Sequence, residues 1–447
     1  MTAKTDTMRA VTDPAAAPSP SPVAAAVASP RRGGWGVAIA ATLGMSVSYI
    51  DRQTLAAIAP SVRTALAIDH AQYGWLLSAF SIAYFFGAPA AGAVVDRLGA
   101  RRGFAVAVVV WSVIAGAHAL VTSFAMLFAL RIMLGAAEAP SFPAAAQAIR
   151  RSLPKTYRSA AYGLLFTGSS VGAMIAAPLG LSIEGSFGFR AAFLGTAIIG
   201  TAWIPFWLTM TRADRIPSDE VEEADAGGAA AARSIYRGPE ARESTTASWF
   251  ATMRSPPVLR AAVAVIGSAP AIMFVLNFSS QYLVEHWHMP RLSTRGYLVV
   301  PPLFFDVGAV GFGWWASRRE RTRDAASRKT HVDLLLLSAA LAALLALAPL
   351  APSPAVAIAI FGAAGCGGGG IYVLVTADML SRVPLGKTSS AGGMTAAAQS
   401  LAHIAAAPLV GMAIDRTHSY TTAMVVLGLV VLPTSAAFAL WPGLRSR

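Results

Sequence analysis

The sequence predicts an all-α membrane protein with twelve transmembrane helices in two pseudo-symmetric bundles of six. The chain has 447 residues, of which 55% are hydrophobic and only 13% are charged, with a mean hydropathy of +0.57. Soluble domains carry about 25% charged residues, so most of this surface must face lipid. Twelve apolar stretches are long enough to cross a bilayer as helices, which takes about 20 residues each. A polar stretch divides them into two sets of six.

The twelve stretches follow one another with short links. They cover 35–60, 73–95, 103–121, 124–149, 159–183, 190–211, 258–284, 296–317, 332–350, 354–381, 389–413 and 420–441. Residues 1–30 are rich in Ala, Pro and Ser and predict a disordered cytoplasmic tail. The sequence thus predicts an N-terminal bundle over 31–211, a cytoplasmic linker over 212–256 and a C-terminal bundle over 257–447.

Lysine and arginine mark one side of the predicted membrane protein. The links after the second, fourth, eighth and tenth stretches are rich in these residues, and the alternate links hold few. The rich links share a side with the residues near both chain ends. By the positive-inside rule, both termini are expected to be cytoplasmic. The formal charge of +13 reflects this pattern, so nucleic-acid binding is not predicted.

The two halves contain similar segments. SSVGAMIAAPLG at 169–180 aligns with QSLAHIAAAPLV at 399–410. Internal repeats of this kind are typical of secondary transporters, which bind substrate between the halves near the bilayer midplane. The alternative is chance agreement, because Ala and Gly are common in membrane helices.

Four ionisable residues stand inside apolar stretches. Asp51 and Arg52 lie in the first stretch, and Arg131 and Glu138 lie in the fourth. A charge near the bilayer centre is costly, so it usually faces a cavity. We interpret the arginines as candidate ligands of an anion, because their planar fork matches a carboxylate. The acids are candidate proton carriers. The alternative is a structural ion-pair network that locks the helices together.

Further polar side chains in apolar stretches are candidate substrate ligands. They are Tyr49, Tyr84, Asn277, Gln281 and Ser400. The tyrosines can instead pack at an interface, and the amides and the hydroxyl can instead join neighbouring helices. His403 is read either as a packed histidine or as a proton relay.

Several classes of site are not predicted. A single cysteine, Cys366, allows neither an internal disulfide nor a cysteine metal site. His286 and His288 lack further ligands around them, and no strand precedes the glycines at 367–370. Since no nucleophile–base arrangement or cofactor motif is present, the sequence predicts no enzyme, no cofactor and no metal.

The link after the second stretch reads GAVVDRLGARRG, residues 92–103. It resembles the signature loop of the major facilitator superfamily, a glycine followed by Asp-Arg-x-Gly-x-Arg-Arg. The resemblance implies the major facilitator fold and a loop that stabilises the outward-open state. It also implies gating roles for Gly92, Asp96, Arg97 and Arg101. Asp96 would pair with helix ends or an arginine across the halves, and the arginines would bind acids or helix carbonyls.

Nearly the whole chain after the tail resembles the anion:cation symporter family within that superfamily. The resemblance rests on segments such as SYIDRQTLAAIAP, RIMLGAAEAPSFPA and LLFTGSSVGAMIAAPL. The chain resembles the bacterial hexuronate and galactonate type of sugar-acid:proton symporter in this family. The resemblance implies that Asp51 and Glu138 couple protons. It implies equally that Arg52 and Arg131 bind the substrate carboxylate.

Other positions match or depart from that family. Tyr49 and Tyr84 match cavity tyrosines of the sugar-acid carriers. The eleventh stretch has Ser-Leu-Ala-His at 400–403, where the family usually carries an Asn–Leu-Gly-Gly pattern. Ser317 stands where the family often has an acid. The first departure removes the expected family match for contacts to the polar end of the substrate. The second argues against a second gating loop that is symmetric with the loop at 92–103.

These observations predict a proton-coupled secondary transporter that imports an organic anion, most simply a hexuronate or aldonate, by alternating access. It is expected in the bacterial inner membrane as a monomer, with a small organic anion, protons and the lipid bilayer as partners. One alternative is an organic-anion antiporter or exporter, for example of aromatic or dicarboxylic acids. Another is a membrane anion sensor, against which the short polar 212–256 linker argues.

Overall fold

The computed structural model describes residues 33–153, 155–212, 254–321, 331–383 and 388–441. The predicted tail at 1–30 lies outside these ranges, as do residues 213–253 of the predicted linker. Helices make up nearly all of the described residues, and none of these residues forms a strand.

The N-terminal half consists of seven helices. They are α1 (Gly34–Ala57), α2 (Ala59–Leu66), α3 (His70–Ala117), α4 (Phe124–Glu138), α5 (Ser141–Ser152), α6 (Lys155–Phe187) and α7 (Phe189–Met210). Helix α3 contains two predicted spans, and it breaks at Gly99, where φ is +75°. Glycine has no Cβ and adopts such a φ without strain, so the chain can turn there. Helices α4 and α5 together form the fourth span.

The described residues of the C-terminal half form six long helices and several short helical segments. They are α8 (Pro256–Asn277), α9 (Val300–Arg321), α10 (Val332–Ala343), α11 (Pro354–Arg382), α12 (Thr388–Thr417) and α13 (Thr421–Leu440). The seventh predicted stretch, 258–284, is helical along its length except for a break at Phe278, because the short helical segments Ser279–Gln281 and Tyr282–His286 follow α8. Helix α8 ends at Asn277, whose side-chain amide donates to the Met273 carbonyl at 2.9 Å and competes with the helical bonding pattern.

Polar caps fix where several helices begin. The Asp69 side chain accepts from the Gln72 backbone N–H at 2.6 Å, and the Gln72 side chain accepts from the Asp69 backbone N–H at 3.0 Å. This reciprocal capping box starts α3. The Ser123 and Ser353 side chains cap α4 and α11, and each accepts a single hydrogen bond from a backbone N–H.

Ten helical segments of the described residues are long and apolar enough to cross a membrane. Helix α1 and the part of α3 before Gly99 lie at the first and second predicted stretches, which completes the predicted set of twelve. The predicted all-helical membrane fold is confirmed. The paired segments of the proposed repeat occupy α6 and α12, each with an interior proline, Pro178 and Pro408.

The described residues of the two halves pack closely together at one end of the molecule. At this end, called the sealed end below, α1 and α8 finish and α3 begins. Helix α3 packs along α12 across the two halves. One buried apolar cluster joins Leu55, Ile58 and Tyr73 of the N-terminal half to Phe274 and Phe278 of the other. A second cluster, which includes Phe104 and Trp111, lies wholly within the N-terminal half.

Candidate functional site

A cavity of about 240 Å³ lies between the two halves. Side chains of α1, α3, α4 and α6 line one side, and side chains of α8, α9 and α12 line the other. Its polar and charged lining residues are Tyr49, Arg52, Gln53, Ser81, Arg131, Ser169, Ser170, Asn277, Gln399 and His403. Leu77, Phe80, Ile272, Met273 and Phe305 supply much of the apolar wall. The shape and mixed polarity suit a small polar solute.

Arg131 is the most exceptional group of this lining. Only 3% of the residue is exposed, yet its guanidinium donates no hydrogen bond to any described residue and forms no ion pair with one. It stacks over the Phe80 ring, with Cζ 4.8 Å from the ring centroid. Leaving a buried charge without a partner is costly. The free guanidinium is therefore prepared to bind an anion that enters the cavity.

Arg52 faces the same cavity but has a partner. Its Nε donates to Oε2 of Glu138 at 2.7 Å, while its buried Nη2 has no partner among the described residues. Three aromatic rings surround the guanidinium, with Cζ 4.9 Å from Tyr49, 4.8 Å from Phe80 and 4.5 Å from Tyr84. Such rings stabilise a cation without consuming its hydrogen-bond donors. Tyr49 lines the cavity, whereas Tyr84 lies outside the lining.

Glu138 is fully buried at the last residue of α4. Its Oε2 accepts from Ser48 Oγ at 2.6 Å as well as from Arg52, and its Oε1 has no partner within the described ranges. The Arg52–Glu138 pair joins α1 to α4, as a structural role would require. The same helices hold the unpaired Arg131, which a purely structural network does not explain.

Asp51 lies behind the two arginines. It is 4% exposed, and neither carboxyl oxygen has a hydrogen-bond partner in the described part of the chain. Thr196, Arg131, Arg52 and Glu138 surround it. Neither Asp51 nor Glu138 belongs to the cavity lining. The structure thus brings all four predicted charges together, with the bases facing the cavity and the acids behind them.

The predicted ligands of the C-terminal half are only partly at the cavity. Asn277 lines it, and its backbone carbonyl accepts from the Tyr73 hydroxyl at 2.9 Å. Gln281 lies outside the lining and accepts a hydrogen bond from Arg63 Nη1 at 3.0 Å. Gln281 therefore takes part in the contacts of the sealed end in this conformation.

Helix α12 presents a different face from the one expected. Ser400 lies outside the cavity lining, whereas Gln399 and His403 belong to it. Residues four apart share one face of a helix, so 399 and 403 point together and 400 points about 100° away. His403 Nε2 lies 3.2 Å from the Ala269 carbonyl, which ties α12 to α8.

The sequence interpretation missed other residues of the site. Gln53 and Ser81 line the cavity, and Phe80 supports both arginines. Asp306 lies at the contact between the halves, where it accepts a hydrogen bond from Ser170 Oγ at 2.6 Å. Asp306 was visible as a single acid in an apolar stretch, which is the signal that singled out Asp51.

Charged groups of both halves close the sealed end. Arg63 pairs with Glu285, and the Tyr420 hydroxyl donates to Glu285 at 2.6 Å. His70 lies 2.8 Å from Glu285 and 2.7 Å from Asp415. These residues join α2 and the start of α3 to the C-terminal half, so the cavity is cut off from this end.

Glu285 stays ionised in this cluster. Burial raises the pKa of its carboxyl, but hydrogen bonds from His70 and Tyr420 and the charge of Arg63 outweigh this effect. The pKa of Glu285 therefore lies below its ordinary value, which is about 4.3. Its contribution to the seal is present at neutral pH and is lost as pH falls through the lowered pKa.

The predicted gating link lies at the opposite end. Arg97 is exposed, and Arg101 Nη2 donates to the Leu208 carbonyl near the end of α7 at 3.2 Å. The surroundings of Gly92 and of the Asp96 side chain lie outside the part of the chain that the structure describes. Their gating roles therefore stay predictions.

Comparisons with known proteins agree with this architecture. The sequence model of the Major Facilitator Superfamily matches residues 41–407. The hexuronate transporter of Bacillus subtilis (strain 168) is 26% identical over 400 residues, which cover 88% of this chain and 90% of that protein. The hexuronate transporter of Escherichia coli (strain K12) is 38% identical over 174 residues, which cover 39% of this chain and 40% of that protein.

A solved structure has a similar fold. It is a bacterial homologue of the human lysosomal transporter Spinster, in an inward-facing and occupied conformation. It superposes with a TM-score of 0.71, covers 92% of this chain and 97% of its own, and is 17% identical.

Proposed function

This chain belongs to the Major Facilitator Superfamily, and we propose that it is a proton-coupled symporter that imports a sugar acid of the hexuronate or aldonate class. It is a multi-pass membrane transporter and not an enzyme. The observation that carries the proposal is the buried, unpartnered guanidinium of Arg131 in a cavity between the two halves. The hexuronate transporters among its relatives support the choice of substrate class.

The proposed substrate binds through its carboxylate. Arg131 offers free donors, and Arg52 offers its unpartnered Nη2 beside the cavity. Two guanidinium forks can hold one carboxylate with charge-assisted hydrogen bonds, which are the stronger kind. Tyr49, Asn277 and Gln399 lie around the rest of the cavity and can bind hydroxyl groups.

Proton coupling follows from the pairing of Arg52 with Glu138. While Glu138 is ionised, it holds Arg52 Nε at 2.7 Å. A proton on Glu138 removes this charge pair and releases Arg52 to the substrate. Asp51, beside Arg131, is the second proposed proton site. Each proton also adds one positive charge, and the membrane potential contributes about 2.3 kcal/mol per charge per 100 mV to inward movement.

Alternating access is the proposed transport cycle. The positive-inside rule assigns the sealed end to the periplasm and both termini to the cytoplasm of a bacterial inner-membrane protein. The two halves then rock about the cavity, and the contacts of Arg63 and His70 with Glu285 break as the sealed end opens. In that state the 92–103 link, with Gly92, Asp96, Arg97 and Arg101, is the proposed cytoplasmic latch. We propose that the monomer is the working unit.

Uptake into proteoliposomes tests the proposal. With the outside at pH 6 and the inside at pH 8, labelled galacturonate or galactonate should accumulate, and an uncoupler should abolish the accumulation. Arg131→Ala should lose uptake, whereas Arg318→Ala, which removes an exposed arginine stacked on Trp314, should retain it. Uptake that requires a preloaded counter-substrate and ignores the proton gradient would overturn symport in favour of anion exchange.

A further inference from the structure

A third carboxyl group lies in the membrane-spanning part of the site. Asp306 is on α9, within the candidate span Arg291–Arg319, and it is half-buried. Ionisable groups at such depth usually face a pathway or a partner. Within the described ranges, Asp306 forms no ion pair, and its one hydrogen bond comes from Ser170 Oγ at 2.6 Å. Its charge is therefore not balanced by a cation.

Asp306 stands at the edge of the cavity. Ser170, its partner, lines the cavity from the N-terminal half. Phe305, its neighbour in sequence, and Pro302, one helical turn before it, line the cavity from the C-terminal half. A solute that displaces the Ser170 hydroxyl would meet the Asp306 carboxylate directly.

The two signs of charge occupy different walls of the cavity. Arg52 and Arg131 project from α1 and α4, and they interact electrostatically with Glu138. Neither arginine is among the groups that act on Asp306. The cavity thus has a cationic wall and, across the contact between the halves, an acidic group that the arginines do not neutralise.

We propose that Asp306 determines substrate specificity by accepting a hydroxyl of the uncharged end of the substrate and repelling a second carboxylate. The proposal rests on the proposed function and narrows it to hydroxylated monocarboxylates, with aldarates rejected. The Ser170 hydroxyl shows that the carboxylate accepts an O–H donor at this position. A carboxylate in the same place would meet a like charge, and such repulsion is a common means of excluding a competing ligand.

Competition measures this specificity. Galacturonate carries one carboxylate, and galactarate carries one at each end of a chain of similar length. For the wild-type protein, galactarate should compete with labelled galacturonate at least about tenfold less well than unlabelled galacturonate does. Asp306→Asn keeps the shape of the side chain and removes its charge. In this variant we expect the ratio of the inhibition constant of galactarate to that of galacturonate to fall to about threefold or less, because galactarate binds more tightly.

Two further variants separate charge from packing. Ser170→Ala removes the hydroxyl partner but keeps the carboxylate, so the preference for galacturonate should persist. Asp306→Glu keeps the charge and should keep the rejection of galactarate, even if overall affinity drops. Binding to detergent-purified protein by titration calorimetry gives the same ratio without transport.

The possible results distinguish this inference from the proposed function. If the wild-type protein takes up galacturonate but binds galactarate equally well, the role of Asp306 is refuted and the transporter assignment stands. An unchanged ratio in Asp306→Asn refutes the role too. If the wild-type protein neither binds nor moves any sugar acid, the proposed function itself fails.

Discussion

Replacing Glu138 by glutamine keeps the length of the side chain and removes its charge. In the structure the buried carboxylate accepts from Arg52 Nε at 2.7 Å and from Ser48 Oγ at 2.6 Å. Glu138→Gln therefore fixes the site in the charge state that a bound proton would give. We expect the variant to lose uptake driven by a proton gradient and to retain exchange of labelled for unlabelled substrate.

The size of the effect on binding follows from the bond that is lost. A hydrogen bond to a charged group contributes about 1.5–3 kcal/mol. Since about 1.4 kcal/mol corresponds to a factor of ten in affinity, releasing Arg52 changes binding by roughly 10- to 150-fold. The glutamine oxygen can still accept from Arg52, so the lower limit is the appropriate expectation. At pH 8, where a wild-type site must first gain a proton, Glu138→Gln should bind the anion about tenfold more tightly.

Two measurements test this reasoning. Titration calorimetry of the purified protein with galacturonate at pH 6 and pH 8 should give a flatter pH dependence for Glu138→Gln than for the wild type. Proteoliposome flux separates driven uptake from exchange. Ser48→Ala is the matched control, because it removes a neutral partner of the same carboxylate and leaves the acid, so coupling should persist. Undiminished gradient-driven uptake by Glu138→Gln would remove this residue from the proton role, and an unchanged affinity at pH 8 would refute the release of Arg52.

Three further predictions address the anion site, the seal and the packing. Arg131→Lys keeps the charge but loses the planar fork, so anion binding measured by calorimetry should weaken about tenfold, and Arg131→Ala should weaken it about 100-fold or more. Arg63→Ala or Glu285→Gln breaks an ion pair that joins the halves, so a cysteine placed in the cavity should react faster with an impermeant thiol reagent added from the periplasmic side. Gly135→Ala would press a methyl group against a backbone carbonyl of α3 and should cost about 1–3 kcal/mol in thermal unfolding, whereas Gly163→Ala, with nothing within 4 Å, should unfold like the wild type.

The fold could be predicted because its signals are local. A run of apolar residues of sufficient length specifies a membrane helix whatever its neighbours are. The single polar stretch between the sixth and seventh helices separates the halves. Breaks inside the helices were harder to predict from the sequence. An apolar stretch does not reveal the break at Phe278, which separates α8 from the short helical segments that follow it.

The charged part of the site could be anticipated for a similar reason. Asp51, Arg52, Arg131 and Glu138 are conspicuous because they interrupt apolar stretches, and the structure brings them into one group. The face of α12 that lines the cavity could not be predicted in this way. Its sequence is rich in Ala on all sides, so packing against α3 and α8 decides that Gln399, and not Ser400, lines the cavity.

Contacts between distant segments carry no sequence signal at all. Arg63 and Glu285 are separated by 222 residues, and each lies in or beside a link where a charge is unremarkable. Only the three-dimensional arrangement makes them partners. The pairing of Ser170 with Asp306, which are 136 residues apart, is likewise visible only in the structure, although Asp306 itself is conspicuous as an acid in an apolar stretch. The closing of the sealed end and the acidic wall of the cavity therefore had to come from the structure.

The arrangement of charges also bears on why the proposed symporter would not move protons alone. With both acids ionised, the charges of Asp51, Glu138, Arg52 and Arg131 sum to zero, and Arg52 remains paired with Glu138. With a proton on Glu138 but no anion, Arg52 would lose its partner and would be buried unpaired beside Arg131. Breaking a buried pair in that way costs about 3–5 kcal/mol, which disfavours closing the halves around a protonated, empty cavity. A bound carboxylate would replace the negative charge of Glu138 as the partner of Arg52, so the protonated site would close more readily around its substrate than when it is empty. Coupling would then follow from the cost of burying unpaired charge, and it would need no contact between proton and substrate.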